Sequence, residues 1–233
     1  MRTIILFLVL VVIVLIGIPI LLACALFRLQ LPLLLFSKGA IWLCIKILDL
    51  RIEIRGKEWV RKGQNYVFMA NHLSYLDAPI LFLAIPQHIR AIAKKTIFRL
   101  PIVGLAMKQA DFVPVDRTGT NTGKKSIEQA TRMMIEKKHS FLIFPEGTRS
   151  PRGKLQAFRR GGFFLAINSG APIVPMTIKG TYGLMPRGGL WIKRGTIQIE
   201  FFEPVSVKDS NEETMPLLVE RIRKIILSGL TTD

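Results

Sequence analysis

An uncharged run near the amino terminus restricts the fold of this chain more than any other feature. No side chain from residue 4 to residue 27 carries a charge. A helix rising 1.5 Å per residue would extend about 36 Å over that length, enough to cross a bilayer or to enter it deeply. We therefore expect the protein at a membrane, with Gly17 and Pro19 interrupting the helix.

A second apolar stretch, residues 31–50, follows directly and carries Lys38, Lys46 and Asp49. Its mixed composition predicts an amphipathic helix. Two arrangements fit the pair: a spanning first helix with the second in the interface, or a hairpin that enters one leaflet and returns. We assign residues 1–50 to a membrane anchor and residues 51–233 to a folded domain.

A secretory signal is the alternative explanation of the first run. That run is longer than the usual apolar part of a signal peptide and no clear cleavage site follows it, although residues 21–24 resemble a lipoprotein cleavage site ending at Cys24. Cys24 also fits as a small apolar helix residue. With Cys44 as the other cysteine, both in the membrane part, the chain offers no disulfide framework.

Basic residues follow the apolar region at once and include Arg51, Arg55, Lys57, Arg61 and Lys62. The positive-inside rule then predicts that the folded domain lies on the cytoplasmic face, which we expect to be that of a bacterial inner membrane. The whole chain has a formal charge of +17. Such a charge attracts nucleic acid, anionic lipid or phosphorylated metabolites, but no nucleic-acid-binding motif occurs, and we expect no nucleic-acid partner.

Short β-rich runs alternate with helical stretches after residue 49. This pattern predicts an α/β fold with a mixed, largely parallel sheet and flanking helices. The predicted strands are residues 66–69, 89–93, 112–115, 141–144, 173–178 and 196–202, and the predicted helices are residues 75–84, 98–109, 126–138 and 162–168. A capping-box pattern at residues 210–213 predicts a terminal helix with one apolar face, formed by Leu217, Leu218, Ile222, Ile225 and Ile226.

His72 directly follows a predicted strand, where functional loops often lie. Asp77 comes five residues later, and on one continuous helix the two side chains would point about 140° apart. They can meet only if the helix begins between them, and Ser74 supplies a capping pattern that would turn Asp77 back toward His72. A carboxylate that holds one imidazole nitrogen leaves the other free as a general base. The alternative is an ordinary loop histidine beside a helix-capping aspartate.

A second group of polar residues, Phe-Pro-Glu-Gly-Thr-Arg-Ser at residues 144–150, ends an apolar strand in a turn. Arg149 could bind phosphate oxygens with both arms of its guanidinium, and Glu146 could orient Arg149 or accept a substrate hydroxyl. A solvated turn with an exposed Glu–Arg pair is the alternative. A metal site is not expected, because His88 and His139 lack ligand spacing, and Ser74 lacks the glycines of a nucleophile elbow.

The two groups together, in this order, resemble the glycerolipid acyltransferase family, in particular its 1-acylglycerol-3-phosphate acyltransferases. The resemblance extends over residues 55–181 and includes residues 93–95, 100–104, 112–117 and 173–176, with Pro114 where an ordinary strand residue is expected. It implies His72 as the base and Asp77 as its orienting residue. It also implies acceptor binding by Arg117, Glu146, Gly147, Thr148 and Arg149, with Asn71 in support.

The resemblance implies transfer of an acyl group from a thioester, carried by coenzyme A or acyl carrier protein, to the free hydroxyl of lysophosphatidic acid, without a cofactor. Backbone N–H groups near Ser74, or Lys94 or Lys95, are candidates for stabilising the oxyanion. Related acceptors are glycerol 3-phosphate, another lysophospholipid and an acylated amino acid. A basic, membrane-anchored binding protein without catalysis is the alternative from another class.

Overall fold

The structure, a computed structural model, describes residues 2–116, 120–189 and 191–231. Its helices are α1 (Arg2–Leu26), α2 (Leu31–Leu48), α3 (Asp77–Ala84), α4 (Pro101–Gln109), α5 (Thr120–Lys137), α6 (Gly161–Ser169), α7 (Thr181–Leu184) and α8 (Met215–Thr231). Its strands are β1 (Leu50–Arg55), β2 (Val67–Ala70), β3 (Ile89–Lys94), β4 (Val113–Val115), β5 (Ser140–Ile143), β6 (Ile173–Lys179) and β7 (Gly195–Phe201).

The strands form one seven-stranded sheet in the order β1-β7-β6-β2-β5-β3-β4. β6, β2, β5, β3 and β4 run parallel to one another, whereas β7 is antiparallel to β6 and carries β1 parallel to itself. β2 and β5 are buried along their whole length, as expected for central strands with helices on both faces. The predicted α/β class and the mixed, largely parallel sheet are confirmed.

β1 is a strand that the sequence analysis missed. Its first residue, Leu50, is buried, and inward-facing Ile52 and Ile54 alternate with exposed Arg51 and Arg55, a period of two that is typical of a strand with one covered face. Because β1 and β7 run opposite to the other five strands, β1 begins at the edge where β2 and β5 end.

Several boundaries differ from the predictions for physical reasons. The helix predicted at residues 98–109 is divided into a 3-10 turn, Ile97–Arg99, and α4, while α5 begins six residues before its predicted start. Pro114 is tolerated because β4 is an edge strand.

The capping box predicted at the end of the chain is wrong. Asn211 Oδ1 accepts the N–H groups of Glu213 and Thr214, and α8 begins only at Met215. The helix buries Leu218, Ile222 and Ile226, which are spaced four residues apart, whereas Leu217 lies about 140° from Ile222 around the helix and is 76% exposed.

The two amino-terminal helices pack against each other as a hairpin. Both are long and apolar enough to cross a membrane, which indicates membrane association. The predicted interruption of the first helix is wrong, because α1 continues through Pro19. Gly17 instead allows close packing: a Cβ there would lie 2.9 Å from Cε1 of Phe36 in α2.

A polar cluster joins this hairpin to the α/β domain. Asp111 Oδ2, next to α4, accepts hydrogen bonds from Gln30 (2.9 Å), Lys137 (2.8 Å) and His139 (3.1 Å). Gln30 lies between α1 and α2, and its Oε1 accepts a bond from the buried guanidinium of Arg90 in β3. The turn of the hairpin is thereby fixed to three elements of the domain.

Candidate active site

The two groups of polar residues singled out in the sequence meet at the carboxyl ends of β2 and β5. These strands are parallel neighbours in the middle of the sheet, so the loops that follow them emerge side by side. Asn71 begins the first loop, and its buried carboxamide pairs with both backbone groups of Ile178 in β6, at 2.8 and 2.9 Å. Asn71 thus extends the pairing of β2 with β6 and fixes the position at which His72 leaves the sheet.

His72 and Asp77 are in direct contact. His72 Nδ1 lies 2.9 Å from Asp77 Oδ2, and the same oxygen accepts the backbone N–H groups of Leu73 (2.6 Å) and Ser74 (2.7 Å). Asp77 is fully buried in the first turn of α3, while the His72 side chain is 18% exposed. Since an ionised carboxylate only accepts hydrogen bonds, we assign the proton to Nδ1, which leaves Nε2 as an acceptor.

Ser74 starts the turn differently from the predicted cap. The helix begins at Asp77, and Ser74 Oγ accepts the N–H of Leu76 while donating to the carbonyl of Met185. The carboxylate of Asp77 closes the turn from the other side by accepting the Ser74 N–H. The N–H groups of Leu73, Ser74 and Leu76 are therefore already bonded, which removes them as oxyanion donors.

Both polar groups of the His72 peptide are held by the second loop. The N–H of His72 donates to Glu146 Oε1 over 2.6 Å, and the carbonyl of His72 accepts the N–H of Ser150 over 2.8 Å. A carboxylate acceptor makes the first of these bonds a strong one. The loop after β5 consequently positions the loop after β2.

Glu146 is buried, and its two oxygens have different partners. Oε1 accepts from His72, and Oε2 accepts from both the backbone and the side-chain amide of Gln156, at 2.8 and 3.3 Å. Burial raises the pKa of this carboxyl above its usual range, and the hydrogen bonds from Gln156 and His72 offset part of that rise. The predicted pairing of Glu146 with Arg149 is absent from the described contacts, and no oxygen of Glu146 is left without a protein partner.

The turn between these residues is tight. Gly147 adopts a φ of 73°, which favours glycine, and a Cβ there would lie 2.8 Å from the side chain of Arg159. The carbonyl of Thr148 accepts a hydrogen bond from Gln156 Nε2. Gly147 and Thr148 therefore shape the loop through their backbone.

Arg149 extends across Tyr75, with its guanidinium carbon 3.3 Å from the centre of the ring. Nη1 is buried and has no hydrogen-bond partner among the described residues. A buried guanidinium donor without an acceptor is costly, so an anionic oxygen at this position would be stabilised. Arg187 lies close by and donates to the carbonyl of Arg149.

The ring of Phe144 stacks on His72, with centroids 4.0 Å apart and planes 16° apart. Phe144 also lines a cavity of about 710 Å³. Its apolar wall includes Ile92, Ile127, Ile143 and Phe164, and its charged lining consists of Lys124, Arg159, Asp116, Glu128 and Glu212. A mostly apolar cavity therefore lies beside the candidate base.

The remaining predicted site residues lie elsewhere or outside the described chain. Lys94 ends β3, two strands away from β2, and both it and Lys95 are exposed. Arg117 lies outside the described residues. Over the described chain, no group of three or more His, Cys, Asp or Glu side chains could hold a metal ion.

Sequence reasoning missed three contributors to this site. Gln156 is distant from both motifs along the chain and has no recognisable pattern around it. Tyr75 lies inside the first motif, yet its role becomes visible only when Arg149 is placed above it. The sequence indicates Phe144 only as part of a strand and a turn, whereas its ring stacks on the imidazole of His72.

The chain belongs to the acyltransferase family, and the two motif-bearing loops that meet at the carboxyl edge of its sheet lie within the matched region. The acyltransferase family profile matches residues 51–179. Among individual proteins, the chain is similar to the 1-acyl-sn-glycerol-3-phosphate acyltransferases of Cocos nucifera (32% identity, 79% of this chain and 59% of that protein) and Limnanthes alba (31%, 81% and 66%).

The human 1-acyl-sn-glycerol-3-phosphate acyltransferase alpha is 27% identical over 77% of this chain and 63% of its own length. The chain thus spans somewhat less than two thirds of these curated relatives. The crystal structure of the 1-acyl-sn-glycerophosphate (LPA) acyltransferase PlsC from Thermotoga maritima superimposes with a TM-score of 0.81 at 24% identity. The superposition covers 100% of this chain and 96% of that one, and it shows that the two proteins share a fold.

Proposed function

We propose that this chain transfers a fatty acyl group from an acyl thioester to the sn-2 hydroxyl of 1-acylglycerol 3-phosphate, giving phosphatidic acid. The observation that carries the proposal is the contact of His72 Nδ1 with buried Asp77, which leaves Nε2 as the one ring nitrogen available to accept a proton. The family and the names of the relatives support this choice of reaction.

In the proposed reaction, Nε2 of His72 removes the proton of the acceptor hydroxyl while the hydroxyl oxygen attacks the thioester carbonyl carbon. Asp77 stabilises the imidazolium that forms. The tetrahedral intermediate then collapses, the carbon–sulfur bond breaks, and the leaving thiolate takes the proton from the imidazolium. The products are an ester and a free thiol, so the reaction needs neither a cofactor nor an acyl-enzyme.

The acceptor phosphate is proposed to bind at Arg149. The unpaired, buried Nη1 of that residue and the ring of Tyr75 beneath it form a fixed cation facing the site. Arg117 is proposed as a second phosphate contact. Lys94 and Lys95 remain proposed donors to the oxyanion, and the cavity beside Phe144 is proposed to take an acyl chain.

The donor is proposed to be acyl-CoA or acyl carrier protein, both anionic and suited to a chain with a charge of +17. We further propose that residues 1–50 anchor the enzyme in a membrane and residues 51–233 catalyse on its cytoplasmic face, as in a bacterial inner membrane. Exposed Arg51, Arg55 and Lys57 at the end of the anchor support this orientation.

Other acceptors of the same class are glycerol 3-phosphate, a different lysophospholipid and an acylated amino acid. The unpaired Nη1 of half-buried Arg149 favours an acceptor that carries a phosphate. The catalytic pair favours an enzyme over a basic, membrane-anchored binding protein without catalysis.

The proposal is tested with His72→Ala in reconstituted membranes supplied with lysophosphatidic acid and acyl-CoA. Removal of the base should lower kcat by about 10²- to 10⁴-fold, because that is the usual contribution of a general base. His88→Ala, a histidine outside the site, is the matched control and should retain wild-type activity.

Asp77→Asn should also lose activity, because an amide oxygen in the place of Oδ2 can accept the same hydrogen bonds but carries no charge to stabilise the imidazolium that forms. Both variants are assayed with a panel of acceptors, some of which carry a phosphate and some of which do not. Full activity of folded His72→Ala protein would refute the base assignment, and transfer only to acceptors without phosphate would refute the role of Arg149.

A further inference from the structure

An apolar knob projects from the α/β domain where β3 leads into α4. It consists of Ile97, Leu100, Ile102, Val103 and Leu105, and each of these side chains is between 38% and 52% exposed. Clusters of exposed apolar side chains on a folded domain mark interaction sites, whereas single ones are ordinary.

The knob is a built feature of the fold. Phe98 points inward and is 9% exposed, which turns its neighbours on the 3-10 turn toward solvent. Gly104 is buried so tightly that a Cβ would collide with the backbone carbonyl of Phe98, and its N–H donates to the carbonyl of Leu100 over 2.7 Å. The first turn of α4 is thereby packed onto the 3-10 turn. The large apolar side chains of α4 at this point face solvent.

The knob lies at the same edge of the sheet as the candidate active site. β3 runs parallel to β5, and β5 runs parallel to β2, so all three strands end at one edge. His72 follows β2, Glu146 follows β5, and Ile97 follows β3 by three residues. A surface that binds the knob would therefore face the edge that carries His72.

The knob is also continuous with the amino-terminal hairpin. The far end of α4 packs on α1, because Ala106 and Ala110 contact the cluster of Leu21 and Cys24. Gln109 Nε2 reinforces this contact by donating to the carbonyl of Cys24 over 3.0 Å. The outward side of α1 is itself exposed and apolar, for example at Leu15.

Charge around the knob favours one occupant. Lys94, Lys95 and Arg99 are exposed beside it, and no acidic residue occurs in the sequence between Asp77 and Asp111. An apolar insertion surrounded by lysine and arginine is the pattern of a surface that enters the headgroup layer of an anionic membrane. The same cations would repel a second copy of a chain that carries +17.

We propose that this knob inserts into the lipid layer as a second membrane contact beside the helical hairpin, with Arg99 against anionic headgroups. This contact would hold the His72 edge of the sheet at the lipid surface. The inference rests on the membrane association of the chain, and it stands whatever reaction the site catalyses.

The experiment places an environment-sensitive fluorophore on the knob of the full-length protein. Val103→Cys is made in a Cys24→Ala, Cys44→Ala background, labelled, and reconstituted into vesicles of phosphatidylcholine and phosphatidylglycerol with or without brominated acyl chains. Leu217→Cys is the matched control, because Leu217 is equally apolar and 76% exposed but lies on α8, outside the knob. Leu105→Cys replaces Val103→Cys if the first variant does not fold.

Brominated lipid is expected to quench the label at residue 103 by at least about twofold and to leave the label at residue 217 unchanged. Replacing phosphatidylglycerol by phosphatidylcholine should weaken the quenching at residue 103. A label at residue 103 that shifts to the blue without quenching would indicate a protein contact and overturn the proposal. Equal quenching at the two positions, or none at either, would also overturn it.

Discussion

The backbone N–H of His72 donates a hydrogen bond of 2.6 Å to the side chain of Glu146, so the acidic residue of one loop fixes the peptide that carries the imidazole of the other. The Ser150 N–H completes this arrangement on the carbonyl side of the same peptide. We therefore propose a positional function for Glu146, which would act through the His72 peptide.

Replacement of Glu146 by glutamine should misplace His72. Both carboxylate oxygens accept N–H donors, so an amide nitrogen must oppose one of them. We expect kcat to fall by about 10- to 100-fold, measured by steady-state transfer in reconstituted membranes. Glu213→Gln, at an exposed glutamate, should have no effect. In a His72→Ala background the Glu146 substitution should lower kcat little further. If the two losses in kcat were additive, the positional role would be contradicted.

Arg149→Lys should weaken acceptor binding more than the chemical step. Lysine keeps the charge but loses the planar fork and its stacking on Tyr75. The KM for the phosphate-bearing acceptor should rise by about tenfold with a smaller change in kcat, as measured by varying acceptor at saturating donor. Arg152→Lys, at an exposed arginine of the same loop, is the control. An unchanged KM would exclude the proposed phosphate contact.

Asp111→Asn should loosen the junction between the hairpin and the domain. Burial alone would raise the pKa of Asp111, but hydrogen bonds from Gln30, Lys137 and His139 outweigh it and lower the pKa from 3.8 to about 2. The folded state therefore binds the proton less tightly than the unfolded state, and the ionised carboxylate stabilises the fold at pH values above 3.8.

After allowance for solvent screening, that stabilisation is about 1 to 2 kcal/mol. The difference in unfolding free energy between wild type and Asp111→Asn should be constant above pH 3.8 and should shrink as the pH falls from 3.8 through about 2. Denaturant titrations in detergent at a series of pH values measure it. A difference that grew toward low pH would contradict this linkage.

Gly104→Ala and Gly123→Ala should have opposite effects although both glycines lie in helices. A Cβ at residue 104 collides with the backbone of Phe98, whereas a Cβ at residue 123 meets nothing within 4 Å. We expect the first substitution to destabilise the protein by about 1 to 3 kcal/mol. The second should stabilise it by about 0.5 to 1 kcal/mol through helix propensity. Thermal unfolding measures both, and equal effects would refute the packing explanation.

The sequence allowed the fold class and the His72–Asp77 contact to be predicted because both depend on local patterns. Buried strands followed by polar loops indicate the active edge of a sheet, and the five-residue spacing required a helix start between the two side chains. β1 carried an equally local signal in its alternation, but its arginines were interpreted only as the flank of a membrane helix.

The remaining features depend on tertiary placement. Gln156 bonds Glu146 only because the chain after residue 150 folds back over the site. The early start of α5 contradicts the weak helix propensity of Thr122 and Gly123; there Thr122 Oγ1 donates to the carbonyl of Asp116 and Ser126 Oγ to that of Pro114, contacts that depend on the placement of β4 beside the helix. The apolar residues of α8 cover a wide arc, and its packing against β6 and α6 decides that Leu218, Ile222 and Ile226 are buried while Leu217 stays exposed.

The reversed direction of β1 has a consequence for how a substrate would find this site. Because β1 starts at the edge where β2 and β5 end, the helical hairpin returns the chain to the pole of the domain that carries His72. Under the proposed function, an acceptor that stays in the bilayer would then reach the base by lateral diffusion. The search for that substrate would take place in two dimensions, and only the thioester would arrive from the aqueous phase.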